Sequence, residues 1–70
     1  MIYIDAGHGE YEVYGDLLQY WMLLRPGGIL FGDDYSLAWR GVVAAVNRFV
    51  SKQRLPVEVD QGKWAIAKPV

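Results

Sequence analysis

The chain has 70 residues, contains no cysteine and carries a formal net charge of −1 at pH 7. This length allows one small domain, which buries only about 60% of the surface of its unfolded chain. A composition that is 53% hydrophobic and 14% aromatic excludes intrinsic disorder. The lack of cysteine excludes disulfides and a thiolate zinc site. The near-neutral charge gives no basic surface for nucleic acid or for an anionic membrane.

No run of the sequence approaches the roughly 18 consecutive apolar residues that a transmembrane helix needs. The amino terminus also lacks the basic region and long apolar run of a secretory signal. The sequence therefore predicts neither a nucleic-acid partner nor a membrane partner, and it predicts a cytoplasmic location.

The first predicted elements are a strand and a helix. Met1-Ile-Tyr-Ile-Asp5 is a short apolar run typical of a buried strand. From Glu10 to Leu24 the apolar residues recur at helical spacing, which predicts a helix. The acids lie in its first turns and Arg25 lies at its end, where the helix dipole favours a base. Pro26 prevents the helix from continuing.

A second strand and a second helix follow. Ile29-Leu-Phe31 is a short apolar strand, and Gly32 after it would let a ligand or a neighbouring backbone approach closely. The next helix is predicted from about Leu37 to Gln53, with an apolar stripe that begins at Trp39. At such spacing the tryptophans of the chain are assigned to the core.

The chain closes with a predicted hairpin. Val57–Asp60 alternates apolar and polar residues, Gln61-Gly62 can form a tight turn, and Lys63–Ala67 resumes a strand. The element order is therefore β-α-β-α-β-β. It predicts an α/β fold whose sheet is mostly parallel with one antiparallel strand.

Three carboxylates lie where the first two strands end, namely those of Asp5, Asp33 and Asp34. A strand, a crossover helix and a second strand form a parallel unit, so both strands end at the same edge of the sheet, where ligands bind in open α/β folds. Carboxylates grouped there can coordinate a hard cation such as Mg²⁺ or Ca²⁺. The alternative is that these aspartates cap the following turn or helix.

Three segments carry a resemblance to a known family: Ile4-Asp5-Ala6-Gly7-His8, Leu24-Arg25-Pro26-Gly27-Gly28 and Gly32-Asp33-Asp34-Tyr35. With them, the chain resembles the C-terminal half of class I S-adenosylmethionine-dependent methyltransferases, and within these the small-molecule O-methyltransferases. The resemblance implies part of a Rossmann-like sheet. Residues 1–70 would form a single partial domain equivalent to strands four to seven of that sheet.

The resemblance also implies residue roles. Asp5, Asp33 and Asp34 would bind a divalent metal such as Mg²⁺, as in catechol-type members, which have the same spacing between the first two ligands. The metal would orient and polarise a hydroxyl of a small-molecule substrate, which accepts the methyl group of S-adenosylmethionine. His8 (or Asp5) would remove the hydroxyl proton, and Tyr35 would contact the substrate. A turn histidine that bonds the backbone or lies on the cofactor is the alternative for His8.

The chain departs from the family in two respects. The family usually has a tyrosine two residues after the turn histidine, where this chain has Glu10, with Tyr11 following. The glycine-rich loop and the acidic residue that hold the cofactor belong to the first two strands of the family, and no counterpart occurs among these 70 residues. We therefore expect no activity from the isolated chain, and its cofactor-binding residues stay unassigned.

The competing hypothesis is a free-standing, non-catalytic fragment that acts as an oligomeric interaction module. In the family sheet the strand equivalent to residues 1–4 has a neighbour on each side, and one of these neighbours has no counterpart in the chain. An apolar strand with unpaired backbone groups is a template for pairing with another chain. The sequence thus predicts a homo-oligomer formed through residues 1–4.

Overall fold

The computed structural model describes residues 1–4 and 9–70 of the chain. The described elements are, in order, β1 (Ile2–Ile4), α1 (Glu10–Leu23), β2 (Ile29–Gly32), a 3₁₀ turn (Leu37–Trp39), α2 (Arg40–Gln53), β3 (Glu58–Asp60) and β4 (Lys63–Ala67). The predicted order β-α-β-α-β-β is confirmed, with the 3₁₀ turn as an addition before the second helix.

Helix α1 buries the residues that its spacing predicted, Val13 and Leu17, and Leu24 just beyond its end is buried as well. The base at the end of this helix is not Arg25, which is exposed. It is Lys68, whose Nζ donates to the carbonyl oxygens of Trp21 and Leu24, each at 2.8 Å. A cation in this position satisfies carbonyls that have no partner within the helix and complements the helix dipole.

Helix α2 begins later than predicted, at Arg40, because the preceding residues form the 3₁₀ turn. Trp39 lies at the end of that turn and is 42% exposed, so its assignment to the buried stripe was wrong. The rest of the predicted stripe is confirmed, since Val42, Val46, Phe49 and Val50 are buried, and Ala45 is buried with them. The helix ends at Arg54, whose φ of 56° is the left-handed conformation common at helix ends.

The described strands form a four-stranded sheet in the order β1-β2-β4-β3. β1 pairs parallel with β2, whereas β4 pairs antiparallel with both β2 and β3. Three strands therefore run one way and β4 runs against them, which agrees with the predicted α/β class and single antiparallel strand. Because β4 lies between β2 and β3, only one of the three strand pairs is parallel, so the sheet is mixed and not mostly parallel. The hairpin turns at Gln61 and Gly62, both with positive φ (51° and 78°), as a two-residue hairpin turn of type I′ requires.

The core lies between the two helices and one face of the sheet. Phe49 is fully buried at its centre, and its ring contacts that of Trp21 edge-on at 5.2 Å between centroids. From the sheet, Leu30, Trp64 and Ile66 complete this layer with at most 2% of their surface exposed. The opposite face of the sheet carries no helix among the described residues.

Gly32 lies directly beneath the indole of Trp64. The two residues are partners in the antiparallel pairing of β2 with β4, and a Cβ at position 32 would lie 2.7 Å from Cζ2 of Trp64. The sequence predicted that Gly32 admits a ligand or a backbone. The structure shows that it admits an aromatic side chain, which is how the large residue fits into this small core.

Within the described part of the chain, neither helix has the length and apolar character needed to cross a bilayer.

Replacing Gly32 by alanine should lower the free energy of unfolding by about 1–3 kcal/mol, because the new methyl group overpacks the contact with Trp64. Urea unfolding followed by tryptophan fluorescence measures this change. Gly15→Ala is the matched control, since the described residues leave open space beside Gly15 on α1. That variant should gain about 0.5–1 kcal/mol from helix propensity. Equal losses in both variants would contradict the tight packing at Gly32.

Candidate functional site

The carboxyl ends of β1 and β2 open onto a cavity of about 390 Å³. Its described lining comes from the end of β1, the segment after β2, the 3₁₀ turn and the hairpin turn, namely Tyr3, Asp33, Asp34, Ser36, Trp39, Gln61 and Gly62. Two of the predicted metal ligands, Asp33 and Asp34, thus lie together at the predicted edge of the sheet. A parallel strand pair explains this position, because both strands end at the same edge.

A hydrogen bond joins the ends of the two parallel strands. The hydroxyl of Tyr3 donates to Oδ2 of Asp33 at 2.5 Å. Tyr3 is the register partner of Phe31, and their rings lie 5.3 Å apart. Since side chains alternate along a strand, Asp33 falls on the same face as Phe31 and within reach of the tyrosine. The bond engages Oδ2 of Asp33 and links the ends of the two strands.

Asp34 marks a sharp change of chain direction. Its φ is 65°, a left-handed conformation that aspartate tolerates better than most residues do. The next residues are held in place through their backbone, with Ser36 N–H donating to the carbonyl of Asp34 at 3.0 Å and Tyr35 N–H donating to the carbonyl of Gly62 at 2.8 Å. This second bond ties the segment after β2 to the hairpin turn, which is why Gln61 and Gly62 line the cavity.

Neither aspartate occupies the cap position of a described helix. The residue preceding the 3₁₀ turn is Ser36, and the one preceding α2 is Trp39. Asp33 and Asp34 lie before both of these cap positions, in the cavity wall. The alternative that Asp33 and Asp34 are the cap residues of the next helix is therefore wrong.

Tyr35, the predicted substrate contact, has a structural role. Its hydroxyl donates to Oδ1 of Asn47 on α2 at 2.5 Å, and its partly buried side chain packs against the hydrophobic core. It is not among the residues that line the cavity. A contact between Tyr35 and a substrate stays a prediction.

Asp5 and His8 lie outside the described residues, so their predicted roles as metal ligand and proton acceptor stay predictions. Among residues 1–4 and 9–70, no group of three or more histidine, cysteine, aspartate or glutamate side chains is placed to hold a metal ion. Asp33 and Asp34 therefore supply two carboxylates of the three that the sequence proposed.

Sequence reasoning missed the other residues of the cavity. The alternation of side chains along β1 could have placed Tyr3 on the face opposite to the buried Ile4. Trp39 was assigned to the core because its spacing continues the apolar stripe of α2. Gln61 was recognised as a turn residue, but only the pairing of β4 beside β2 brings that turn next to Asp34.

The described lining combines two carboxylates, a phenol, a hydroxyl, a carboxamide and an indole, with no lysine or arginine among these residues. Such a set suits a ligand that is a cation or that presents hydroxyl groups, because carboxylates accept hydrogen bonds and coordinate hard cations. The exposed Trp39 adds an apolar wall against which a ring could stack.

Comparisons with known proteins gave no match to a family, to a curated protein or to a solved structure.

Tyr35→Phe should lower the free energy of unfolding by about 0.5–1.5 kcal/mol, because it removes one hydrogen bond and leaves Asn47 without that donor. Thermal or urea unfolding measures the loss. The control is Tyr11→Phe, since Tyr11 is 83% exposed on α1 and its change should be near zero. If the two variants are equally stable, Tyr35 does not stabilise the fold through this bond.

Proposed function

We propose that this chain is the C-terminal part of a class I S-adenosylmethionine-dependent methyltransferase that methylates a hydroxyl of a small molecule with the help of a metal ion. The observation that carries the proposal is the position of Asp33 and Asp34, adjacent carboxylates in a cavity at the carboxyl ends of two parallel strands. The sheet also supports it, since three strands in one direction and a closing antiparallel hairpin are what the resemblance implies.

The residues present fit a divalent cation. Asp33 and Asp34 line the same cavity and bring two carboxylates to it. With Asp5 as the third ligand, they would hold Mg²⁺, which prefers carboxylate oxygens and retains water ligands. When bound, such an ion polarises a substrate hydroxyl and orients it.

Methyl transfer needs one further group from this chain, a proton acceptor. His8, or Asp5, would take the proton of the substrate hydroxyl, for which an imidazole has a suitable pKa near neutrality. S-adenosylmethionine, when bound, would supply the methyl group to the substrate oxygen, with its sulfur as the leaving group. No covalent intermediate with the enzyme is needed, in keeping with the lack of cysteine. Trp39 would form one wall of the substrate site.

The alternative is a non-catalytic interaction module that forms homo-oligomers through residues 1–4. The observation that favours it is the position of β1 at the edge of the described sheet, where it pairs with β2 alone. Met1 is 81% exposed there and Tyr3 is 46% exposed, so the edge presents apolar surface to another chain. The cytoplasmic location stays a prediction under either function.

The carboxylates can be tested by metal-dependent stability. Mg²⁺ or Mn²⁺ at millimolar concentration should raise the melting temperature of the wild-type chain, because a ligand that binds only the native state stabilises it. Asp33→Asn and Asp34→Asn should each reduce this shift by more than half. Asp60→Asn is the matched control, an exposed acid on the hairpin, and should keep the shift. A wild-type chain that gives no metal-dependent shift would contradict the metal site.

The 70-residue chain alone should not bind S-adenosylmethionine at micromolar concentration. In nucleotide-binding α/β folds, backbone amides of a glycine-rich loop and a helix amino terminus hold such cofactors, and in the methyltransferase family that loop precedes the four strands that this chain resembles. Isothermal titration calorimetry measures binding directly, with S-adenosylhomocysteine as a second ligand. A clear micromolar isotherm would show that these residues suffice to hold the cofactor.

A further inference from the structure

The face of the sheet turned away from the helices is apolar and uncovered among the described residues. On β2, Leu30 is fully buried beneath the helices, whereas its neighbour Ile29 is 37% exposed on the other face. A shallow groove of about 470 Å³ runs along this face. Ile29 and Phe31 form one wall, Ala65 lies on the floor, and Glu58 and Asp60 form the opposite wall.

The sequence pattern of the strands indicates that this face is normally covered. β1 and β2 are apolar on both faces, with Ile2-Tyr-Ile4 and Ile29-Leu-Phe31 as continuous runs. Such runs are typical of parallel strands whose two faces are both buried, whereas a strand with one wet face alternates apolar and polar residues. Removing this apolar surface from water is therefore favourable for any partner of matching shape.

The shape of the face is complementary to itself. In the antiparallel register, Phe31 pairs with Ala65 and Ile29 pairs with Ala67. Large side chains on β2 thus form a ridge, and small ones at the same levels on β4 form the groove beside it. A two-fold axis parallel to the strands, midway between β2 and β4, would place β2 of each copy over β4 of the other. The ridge of each copy would then meet the groove of its partner. Two sheets packed in this way lie about 10 Å apart.

The charges of the face also suit two copies. Continued by one residue beyond its last pair, Gly32 with Trp64, the same register would place Asp33 level with Lys63 on β4. The two-fold operation exchanges these positions as well, so Lys63 of each copy faces Asp33 of the partner subunit. The exposed stripe of α1 formed by Tyr11, Leu18 and Met22 is a poorer candidate, because α1 carries acids and no base and two copies would repel each other.

We propose that a second copy of this chain covers the open sheet face, with the ridge of Ile29 and Phe31 packed into the partner's alanine groove. The proposal concerns the 70-residue chain by itself, since elements of the other half of a complete methyltransferase would cover this face instead. It uses a different surface from the edge of β1. A face of four short strands is smaller than the roughly 800 Å² per partner of a typical stable interface. We therefore expect a weak dimer with a Kd of about 10–100 µM.

Sedimentation equilibrium of the full chain at concentrations from 5 to ~500 µM tests the proposal. The mass should rise from the 7.9 kDa of one chain towards twice that value. Ala67→Arg places a long charged side chain at an exposed position of β4, level with Ile29, and should raise the Kd at least tenfold with an unchanged circular dichroism spectrum. Ala38→Arg is the matched control on the exposed 3₁₀ turn, and it should dimerise as the wild type does.

A charge exchange tests the register. Lys63→Asp and Asp33→Lys should each weaken self-association, and an equimolar mixture of the two variants should regain it, because each mixed pair restores opposite charges. A wild-type chain that stays monomeric at ~500 µM would overturn the proposal. A dimer that persists in the Ala67→Arg variant would also overturn it. Such a dimer would form through the edge of β1 or through α1, and Leu18→Arg would abolish it in the second case.

Discussion

The contact between Trp64 and Gly32 is the constraint on which the rest of the fold depends. It exists only because β4 lies antiparallel beside β2 and presents Trp64 and Ile66 to the helices. The lack of a side chain at Gly32 lets the indole lie flat against the end of β2, which fills the core with one large residue. A small domain has few apolar residues to bury, and Trp64, 2% exposed, is the only tryptophan that the described core buries this completely.

The same strand pairing fixes parts of the molecule that lie far apart in sequence. At one end of β4, the pairing continues to Gly28 through the backbone of Lys68, which places the ammonium group on the carbonyls of α1. At the other end, it brings the hairpin turn against Tyr35 and Asp34. One inserted strand thus stabilises the end of a helix and also shapes the cavity at the sheet edge.

The two surfaces proposed for function meet at Asp33. Its bond to Tyr3 places it at the boundary between the cavity and the open sheet face. Under the methyltransferase proposal its carboxylate contributes to a metal site. Under the dimer proposal it faces the partner's Lys63. A dimer of this kind would therefore bring the second copy to the border of the cavity, so that self-association and cation binding would compete for one carboxylate.

Several features follow from the sequence alone because they depend on local patterns. The four-residue spacing of Val13 and Leu17 is typical of the helix α1, and Pro26 prevents its continuation. Gln61-Gly62 accepts the positive φ angles of the hairpin turn. The position of Asp33 and Asp34 at the end of a strand follows in the same way. A parallel unit then places them at an edge where ligands bind, without knowledge of the remaining sheet.

The tertiary structure alone decided which distant residues meet. The order β1-β2-β4-β3 cannot be read from element order, because the last strand lies between two earlier ones. That insertion, rather than any local pattern, sets Trp64 on Gly32, brings Lys68 to the end of α1 and adds Gln61 to the cavity wall. Trp39 shows the limit of spacing arguments, since it continues the apolar stripe in sequence yet lies on a tighter 3₁₀ turn that points it away from the core. Local periodicity specifies the elements and their buried sides, whereas packing across the whole sheet selects their partners.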